Sequence, residues 1–474
     1  MAAKLTFVKR LIARDVKYIL LIGCVVVFWY LAFFPGRLGY DYSLAIRMIQ
    51  EGESTDWWTS TFFWFLRIST IWGTSIFISS LIGILLLTFS IIWFVYSLDT
   101  SPKIRKLTIF IVFLTPFFGA FGVTVSHDVF QTAGIILLLG CEVRFLKRKA
   151  CNNWKLFLVL SIAYISLLTT QTGIAIISIS LISLIIRKHL IIASFLALIV
   201  VSLMLASSMG ISKDFMKSAK YFPIMADLKC IVQHPDAGVT DSEWETLQKI
   251  SKKENWIQPV SCASIDTTVE ILSLNNTNIV LDRRIIAAYI DLASRNPAIL
   301  LMAHIQRSRG VFPPPFFQGP DNQVPLDTKI PIGLGTNTAL QTGPELLHPS
   351  IDEPSVNLEI PFLKPLEIIA QIPTFIVNQA SWFWGWGGFW FWPILIFWFK
   401  NCKKAKIKFI LLSLYPLILL HISLFILTPG ALGRYYMPTI LTGIIVSIVM
   451  FLEFLLNNTE KKSRELRSNS GIAV

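Results

Sequence analysis

The sequence predicts an all-α polytopic membrane protein with about ten transmembrane helices. Of its 474 residues, 54% are hydrophobic and 15% are charged, whereas soluble domains contain about 25% charged residues. Several apolar runs approach or exceed the roughly 20 residues that cross a bilayer. Lys and Arg cluster in short bridges between these runs, as is typical of cytoplasmic loops, because short basic loops resist translocation. Apolar length and charge placement together predict a multi-pass protein of the plasma membrane with both termini in the cytoplasm.

The individual spans follow from the alternation of apolar runs with basic and nearly uncharged connections. The basic bridges lie at 103–106, 144–155, 187–188 and 400–408, and the tail is basic as well. The short outer turns at 125–128 and 429–436 contain a single basic residue. No small-residue cleavage site follows the first run, which predicts a retained anchor rather than a signal peptide. The predicted spans are 17–35, 72–98, 107–125, 129–143, 156–170, 174–186, 190–209, 382–399, 409–428 and 437–456.

Residues 156–186 decide which side of the membrane everything downstream occupies. They fit either one long helix or a tight hairpin of two short helices. The basic residues at the two ends, Lys155 and Arg187, favour the same side. Polar and turn-permissive residues lie at the midpoint, around Thr170 and Gly173. The sequence therefore predicts a hairpin.

A wide polar segment, residues 210–365, separates two membrane modules. It holds 17 of the 29 acidic residues and no apolar run of membrane length, and the topology places it outside as a mainly helical and irregular domain. Two of the six cysteines, Cys230 and Cys262, fall in it. An isolated pair in an oxidising compartment predicts a disulfide, with two free thiols as the alternative. Residues 1–209 form the first module, and 366–474 contribute an interfacial helix and the last spans.

The first outer loop, residues 36–71, carries the first candidate for catalysis. Asp41 follows the first span by a few residues, which places it at the membrane lip. A carboxylate there can accept a proton from a hydroxyl when its neighbours hold it ionised and aimed. The alternative is a solvated loop residue that caps a helix beginning near Ser43.

A second acid, Asp128, opens the fourth span on the same side as Asp41. It either caps that helix, which the helix dipole favours, or faces a functional cavity. Its neighbour His127 is a candidate for orienting substrate or donating to phosphate. A structural histidine is the alternative.

Three further residues are candidates for binding phosphate near the membrane surface. Arg434 is the basic residue of the outer turns, and guanidinium offers a planar fork of donors that suits phosphate oxygens. Tyr435 adds an apolar body with a hydroxyl tip beside a lipid headgroup. Arg307, in the outer segment, could serve a phosphate in the same way. An interfacial anchor is the alternative for Arg434.

Several function classes are disfavoured by what the sequence lacks. It contains no P-loop, no cysteine and histidine grouping with zinc spacing, and no GxSxG elbow. Charges are scarce within the spans, which counts against an ion-coupled transporter. The net charge of +13 resides mostly in the cytoplasmic bridges, so it reports topology rather than a nucleic-acid partner.

The layout resembles the membrane glycosyltransferases of the GT-C fold, which use sugars linked to a polyprenyl phosphate. One span, an outer loop with interfacial helices and six further spans precede a large outer segment. The acid of the first loop, Asp41, stands where this class places its catalytic carboxylate. Gly52 with Asp56 and Trp57 is similar to a Gly…Asp-Trp-His pattern of several bacterial families, and 126–128 to their acidic second outer loop.

The resemblance implies roles for specific residues. Asp41 would deprotonate the acceptor hydroxyl for attack at the anomeric carbon. The attack would come from the face opposite the leaving group and would invert the configuration. Asp56, His127, Asp128 and Tyr435 would bind substrate, and Arg434 or Arg307 would stabilise the departing polyprenyl phosphate. Trp58 replaces the histidine of the related pattern, and Asp41 has no adjacent second acid, so neither a metal nor another cofactor is predicted.

The expected function is transfer of a sugar from a polyprenyl-phosphate donor to a glycan or a lipid-linked acceptor at the outer face of a bacterial inner membrane. Membrane lipid, donor and acceptor are the expected partners. Three alternatives stay open: a surface-polysaccharide polymerase or ligase, a flippase or other transporter of lipid-linked glycan, and a non-enzymatic assembly subunit.

Overall fold

The described part of the chain is mostly helical, which confirms the predicted all-α class. The computed structural model describes residues 18–38, 40–52, 59–146, 153–208, 222–260, 262, 265–272, 283–308, 363–379, 387–401, 413–427 and 433–469. Within these residues the only extended structure is a pair of two-residue strands.

The first membrane module contains ten helices and the two strands. In chain order these are α1 Tyr18–Ala32, β1 Arg37–Leu38, α2 Tyr40–Gln50, α3 Ser60–Ser69, α4 Phe77–Ser97, α5 Pro102–Leu114, α6 Gly119–Gly122, β2 Thr124–Val125, α7 His127–Leu146, α8 Asn153–Leu167, α9 Gln171–Ile186 and α10 Leu190–Ser208. Helices α4 and α7 pack along each other, and α7 also packs against α8. Every residue of α7 from Asp128 to Val143 is buried, so α7 lies at the centre of the bundle.

The outer segment and the second membrane module supply the remaining helices. The outer segment contributes α11 Phe222–Val232, α12 Asp241–Leu247, α13 Lys253–Ile257, α14 Ile265–Ile271, α15 Arg283–Arg295 and α16 Pro297–Arg307. The second module contributes α17 Lys364–Gln379, α18 Gly387–Asn401, α19 Tyr415–Leu427 and α20 Met437–Asn469.

Three helices of the described chain are long and apolar enough to cross a membrane: α4, α7 and residues Met437–Thr459 of α20. These apolar helices indicate a membrane protein. A helix lies at each of the other predicted spans, but those helices are shorter. The count of about ten spans therefore stays a prediction.

The predicted span 107–125 is not one helix. α5 ends at Leu114, and Thr115 adopts an extended conformation with ψ of 145°. Thr115 precedes Pro116, and the proline ring disfavours the helical conformation in the residue before it. The short α6 then leads into β2.

The hairpin predicted for 156–186 is confirmed. Thr170 lies at the break between α8 and α9 and caps α9: its hydroxyl accepts a hydrogen bond from the backbone N–H of Gly173. The Tyr164 hydroxyl donates to Ser180 Oγ at 2.7 Å, 16 residues along the chain. A continuous helix would hold residues at that separation about 24 Å apart. The two arms therefore fold back on each other.

Polar contacts join the predicted cytoplasmic groups with one another and the predicted outer groups with one another. At one end Arg187 pairs with Glu142 at 2.6 Å, and the Tyr18 hydroxyl donates to the carbonyl of Lys106 at 2.9 Å. At the other end Thr59 of the first loop donates to the carbonyl of Leu168 in the hairpin turn at 2.8 Å. Each set of groups therefore lies at one end of the bundle, and which end faces the cytoplasm stays a prediction.

The outer segment has an apolar core of its own. Its fully buried members include Met225, Leu228, Leu247, Trp256 and Leu292. The disulfide expected from the sequence is present: Cys230 in α11 is joined to Cys262, with their Cα atoms 5.8 Å apart. We call helices α11–α16 together the outer unit.

Candidate functional site

A parallel strand pair brings the two predicted acids to the same place. Arg37 of β1 is paired with Thr124 of β2, and Leu38 is paired with Val125. Asp41 follows Leu38 by three residues, and Asp128 follows Val125 by three residues. Each acid is the second residue of the helix that follows its strand. The first turns of α2 and α7 therefore begin side by side, with one carboxyl-bearing residue in each.

The turn before β1 depends on Gly36, whose φ is +137°. A side chain at this position would be strained, and its Cβ would lie 2.6 Å from the Cβ of Ser80. Ser80 of α4 also donates its hydroxyl to the carbonyl of Pro35 at 2.7 Å. The close approach of this turn to α4 sets the position of β1, and through β1 the start of α2.

Helix α2 begins at Tyr40, so Asp41 lies in its first turn. The alternative in which Asp41 caps a helix beginning near Ser43 is wrong, because both residues are helical. The side chain of Asp41 lies outside the described part of the chain. Its backbone position places it where the helix dipole favours the carboxylate form.

The residue after Asp41, Tyr42, connects α2 to the predicted second acid. Its hydroxyl lies 2.7 Å from Nδ1 of His127, 2.8 Å from Oγ of Ser126 and 3.4 Å from Oδ2 of Asp128. Ser126 also lies 2.8 Å from Asp128 Oδ2 and accepts a hydrogen bond from the Asp128 backbone N–H. Tyr42 and Asp128 are both almost fully buried. We call Tyr42, Ser126, His127 and Asp128 the lip network.

The distances favour one arrangement of protons in the lip network. A carboxylate is the strongest acceptor present, so the Ser126 hydroxyl donates to Asp128. Tyr42 then donates to Nδ1 of His127, which places the proton of a neutral imidazole on Nε2. That nitrogen lies 3.4 Å from Asp128 Oδ1. In this arrangement Tyr42 fixes the tautomer of His127, and Ser126 holds the Asp128 carboxylate.

Ser126, rather than Asp128, acts as the cap of α7. Its hydroxyl accepts from the Asp128 N–H at 3.0 Å, so one exposed donor of the first turn is satisfied without the Asp128 side chain. The Asp128 side chain is therefore not needed as the cap of α7. The Asp128 carboxylate is instead held by the lip network, in the first turn of a helix whose dipole favours its charge.

Aromatic side chains of α3 cover the lip network on one side. The Phe62 ring contacts both Tyr42 and His127 edge-on, with ring centroids 5.9 and 5.5 Å apart. Phe65 packs edge-on against Phe130 of α7, with centroids 4.6 Å apart. Phe62 and Tyr42 are fully buried. This apolar cover lowers the local dielectric and strengthens the hydrogen bonds beneath it.

Arg307 lies in a different place from the lip network. Its guanidinium forms a buried ion pair with Asp227 of α11 through Nη2. Tyr289 donates to the same carboxylate at 3.1 Å, and His304 Nε2 lies 3.4 Å from it. His304 Nδ1 lies 3.1 Å from the carbonyl of Phe425 in α19. We call Asp227, Tyr289, His304 and Arg307 the elbow cluster; it joins the outer unit to the second membrane module.

The charges of the elbow cluster shift the pKa values of its members. Burial alone would raise the pKa of Asp227, but the hydrogen bonds from His304 and Arg307 and the charge of Arg307 outweigh burial and lower it. Burial and the neighbouring Asp227 carboxylate raise the pKa of Tyr289 to about 12. Asp227 is therefore ionised and Tyr289 is neutral at pH 7.

The other predicted site residues are described in part or not at all. Asp56 lies outside the described residues, and only the backbone of Arg434 is described, in the 3-10 turn Gly433–Tyr436 that precedes α20. Tyr435 is half-buried and packs against the bundle core. The roles of all three in substrate binding stay predictions.

Sequence reasoning missed Tyr42, Ser126, Asp227, Tyr289 and His304 as site residues. Tyr42 and Ser126 lie within two residues of the predicted acids, which the sequence shows. That Tyr42 contacts Ser126 follows only from the register of the two strands. Asp227 and Arg307 are 80 residues apart in sequence, and no local pattern links them. Among the described residues, His, Cys, Asp and Glu form no group of three or more that could hold a metal ion.

Comparison with known proteins gives no match: no family model, no curated protein and no solved structure resembles this chain.

Proposed function

We propose that this protein is a membrane glycosyltransferase of the GT-C type, acting at the outer face of the plasma membrane with both termini in the cytoplasm. It transfers a sugar from a polyprenyl-phosphate donor to a glycan or a lipid-linked acceptor. The observation that carries the proposal is the register of β1 and β2, which starts the two acid-bearing helices side by side. The predicted topology puts this pair at the outer lip of the bundle.

In this proposal Asp41 is the general base. It accepts the proton of the acceptor hydroxyl as that oxygen attacks the anomeric carbon, and the bond to the polyprenyl phosphate breaks on the opposite face. The configuration at the anomeric carbon is therefore inverted. Proton transfer by a positioned side chain contributes about 10²–10⁴-fold to a rate, so Asp41 needs a fixed direction and an ionised carboxyl.

The lip network supports that requirement through the adjacent residue. Tyr42 is bound by its hydroxyl to α7, so the first turn of α2 is held in place. Asp128 and His127 lie beside this turn and are the candidates for contact with the hydroxyls of the acceptor or the sugar. Arg434 and Tyr435, near the start of α20, are the candidates for contact with the phosphate of the donor.

A donor embedded in the bilayer fits the proposed location. Nucleotide sugars are cytoplasmic, so chemistry at the outer face requires a donor that arrives in the membrane. Helices α2 and α3 together with the start of α7 form an apolar and aromatic wall around Tyr42, built from Ile46, Phe62, Phe63, Leu66 and Phe130. Such a wall excludes water from the reacting groups.

The proposal is tested with the purified full chain in nanodiscs, supplied with a synthetic polyprenyl-phosphate sugar and a lipid-linked acceptor. We expect Asp41→Asn to lower transfer by at least about 100-fold, because the amide cannot accept the proton. Asp236→Asn is the matched control, since Asp236 is 91% exposed in the outer unit and should leave the rate unchanged.

Equal transfer by the wild type and Asp41→Asn would remove Asp41 as the base. If the wild type carries labelled donor across the bilayer without transfer, the flippase alternative replaces the proposal. If it joins repeated glycan units without using a single-sugar donor, the polymerase alternative replaces it.

A further inference from the structure

Helix α16 carries an unusual outer face. Its four exposed residues follow one helical stripe, and all four are apolar: Pro297, Ala298, Leu301 and Met302. Leu301 and Met302 are 51% and 46% exposed. Soluble helices usually place polar residues on the face turned away from the core, so this face requires an apolar partner.

The opposite face of α16 fixes how the helix is turned. Arg307 is paired with Asp227 of α11, and Ala303 is buried beside it. Ile299 and Leu300 pack against the core of the outer unit. With this side held by a buried ion pair and by packing, the apolar stripe has to face away from the outer unit.

A contact with α19 fixes the position of α16 along the axis of the helix bundle. His304 Nδ1 lies 3.1 Å from the carbonyl of Phe425, and the two rings also contact each other with centroids 5.8 Å apart. Phe425 is two residues from the end of α19, which corresponds to about 3 Å along the helix axis. α16 therefore lies at the rim of the bundle, beside the last turn of a predicted span.

The neighbouring surface of α19 is apolar and exposed as well. Ile422 and Ile426, on either side of Phe425, are each 50% exposed. In a membrane protein such a surface faces lipid. The stripe of α16 continues this surface at the outer end of the bundle.

Helix α17 repeats the same pattern. Among its described side chains the exposed residues are Lys364, Pro365, Ile368, Ile369 and Ile372; they have the spacing of the α16 stripe, and all except Lys364 are apolar. Its opposite side packs on the bundle, because Ala370 is fully buried in the bundle core. The two helices lie on either side of residues 309–362 in the sequence, so both ends of that segment are attached to helices with apolar outer faces.

We propose that α16 lies in the plane of the outer leaflet, with Leu301 and Met302 in the acyl region, and seats the outer unit on the lipid; α17 does the same from the second module. The geometry of the elbow agrees with this. α15 and α16 meet at 98°, so with α16 in the plane α15 can stand along the membrane normal. α15 then rises into the outer unit, whose core it enters through Ile285 and Leu292. The inference does not depend on the proposed enzyme activity.

The position of Ile286 separates this arrangement from a re-entrant bend. Ile286 of α15 is 42% exposed and as apolar as Leu301. It lies nine residues before Arg295, about 13 Å up the helix from the elbow. An in-plane α16 leaves Ile286 in water, whereas a pair α15–α16 that dips into the membrane would put both residues in lipid.

The test uses spin labels on the full chain in nanodiscs of phosphatidylethanolamine and phosphatidylglycerol. Cys24, Cys141, Cys151 and Cys402 are replaced by Ser, and single cysteines are introduced as Leu301→Cys, Met302→Cys and Ile286→Cys. Ile422→Cys is the lipid reference and Ser242→Cys, at an exposed site of α12, is the water reference. Collision rates with oxygen, which partitions into lipid, and with a water-soluble nickel chelate are measured at each site.

We expect the oxygen-to-nickel ratio at Leu301 and Met302 to match the Ile422 reference, and the ratio at Ile286 to match the Ser242 reference. Water-like ratios at Leu301 and Met302 would overturn the inference. Low collision rates with both reagents would mean that protein covers the stripe, from a second copy or another segment, and would also overturn it. A lipid-like ratio at Ile286 would replace the in-plane helix by a re-entrant bend.

Discussion

The hydroxyl group of Tyr42 holds the first outer loop against the fourth predicted span. It contacts three residues of the Ser126–Asp128 turn, all within 3.4 Å. Because Tyr42 is buried, water cannot replace the hydrogen bonds that its hydroxyl makes. Removing the hydroxyl therefore costs about 1–3 kcal/mol. In the proposed mechanism Tyr42 is a positioning residue for Asp41 rather than a residue that touches substrate.

We predict that Tyr42→Phe lowers the transfer rate by about tenfold or more, which corresponds to about 1.4 kcal/mol. It should also change the pH dependence of the rate, because His127 loses the donor that fixes its tautomer. Tyr18→Phe is the control. Tyr18 donates a hydrogen bond at 2.9 Å to the carbonyl of Lys106, at the other end of the bundle from the lip network. An equal loss in both variants would mean that Tyr42 acts only on stability.

The second residue-scale feature is the buried carboxylate of Asp227. Its pKa is lower in the folded protein than in the unfolded chain. For such an acid the stabilisation is fully present above the unfolded pKa of about 4, and it is lost as pH falls through the lower folded pKa. Acid should therefore weaken the elbow cluster and its contact with α19.

We predict that Asp227→Asn lowers the free energy of unfolding at pH 7 by about 3–5 kcal/mol, the range for breaking a buried ion pair. Between pH 7 and pH 3 the variant should lose less further stability than the wild type does. Unfolding temperatures followed by tryptophan fluorescence in detergent measure both. Parallel curves for the two proteins, offset by a constant, would contradict the assignment of the acid-sensitive step to Asp227.

At the scale of elements, the close contact of α7 with α8 depends on a missing side chain. A Cβ at Gly134 of α7 would lie 2.8 Å from Leu167 Cγ and 3.0 Å from the carbonyl oxygen of Ala163. The glycine therefore lets α8, the first arm of the hairpin, approach the central helix. The hairpin orientation and the position of Arg187 beside Glu142 depend on that arm.

We predict that Gly134→Ala destabilises the protein by about 1–3 kcal/mol, the usual cost of overpacking. Gly23→Ala in α1 is the matched control, because a Cβ there meets nothing within 4 Å. An alanine in an open helical position stabilises by about 0.5–1 kcal/mol. Thermal unfolding of the two variants in the same detergent should shift in opposite directions, and a common direction would argue against the tight α7–α8 contact.

Helix ends are another feature where elements differ from sequence expectation. Aspartate is a common cap, and Asp241 stands at the start of α12, but Thr240 is the cap, and Glu243 completes a reciprocal pair of hydrogen bonds with it. Both residues fit the standard capping pattern. Thr240 and Asp241 are both residue types that cap helices, and in the structure it is the Thr240 side chain that accepts the hydrogen bond.

At the scale of the whole molecule, the outer unit combines its own core with a disulfide and a polar contact to α19. The disulfide closes a 32-residue separation between α11 and the loop before α14. Such a bond persists in an oxidising compartment and is rare in the cytosol. Its redox state therefore reports the side of the membrane on which the outer unit lies.

We predict that the native membrane protein shows four reactive thiols after denaturation without reductant and six after reduction, since it has six cysteines and two are paired. Mobility shifts with a polyethylene-glycol maleimide count them. The double variant Cys230→Ser, Cys262→Ser is the control and should show four under both conditions. Six thiols in the wild type without reductant would place residues 210–365 on the cytoplasmic side.

The sequence alone determined the helical class, the hairpin at 156–186, the cysteine pair and the positions of most helices. These features depend on apolar length, on charge at segment ends and on turn residues, all of which are local in the chain. The number of membrane spans, by contrast, depends on packing and on bilayer thickness. Sequence alone does not determine whether helices shorter than the bilayer cross it.

Only the tertiary structure decided which residues meet. The register of β1 with β2 aligns Asp41 with Asp128 across 87 positions of chain, and the elbow cluster joins α11, α15, α16 and α19. Hydrogen bonds and ion pairs between distant segments depend on how the helices pack, and that packing is a property of the whole bundle. The sequence could name the acids, but the fold supplied their partners.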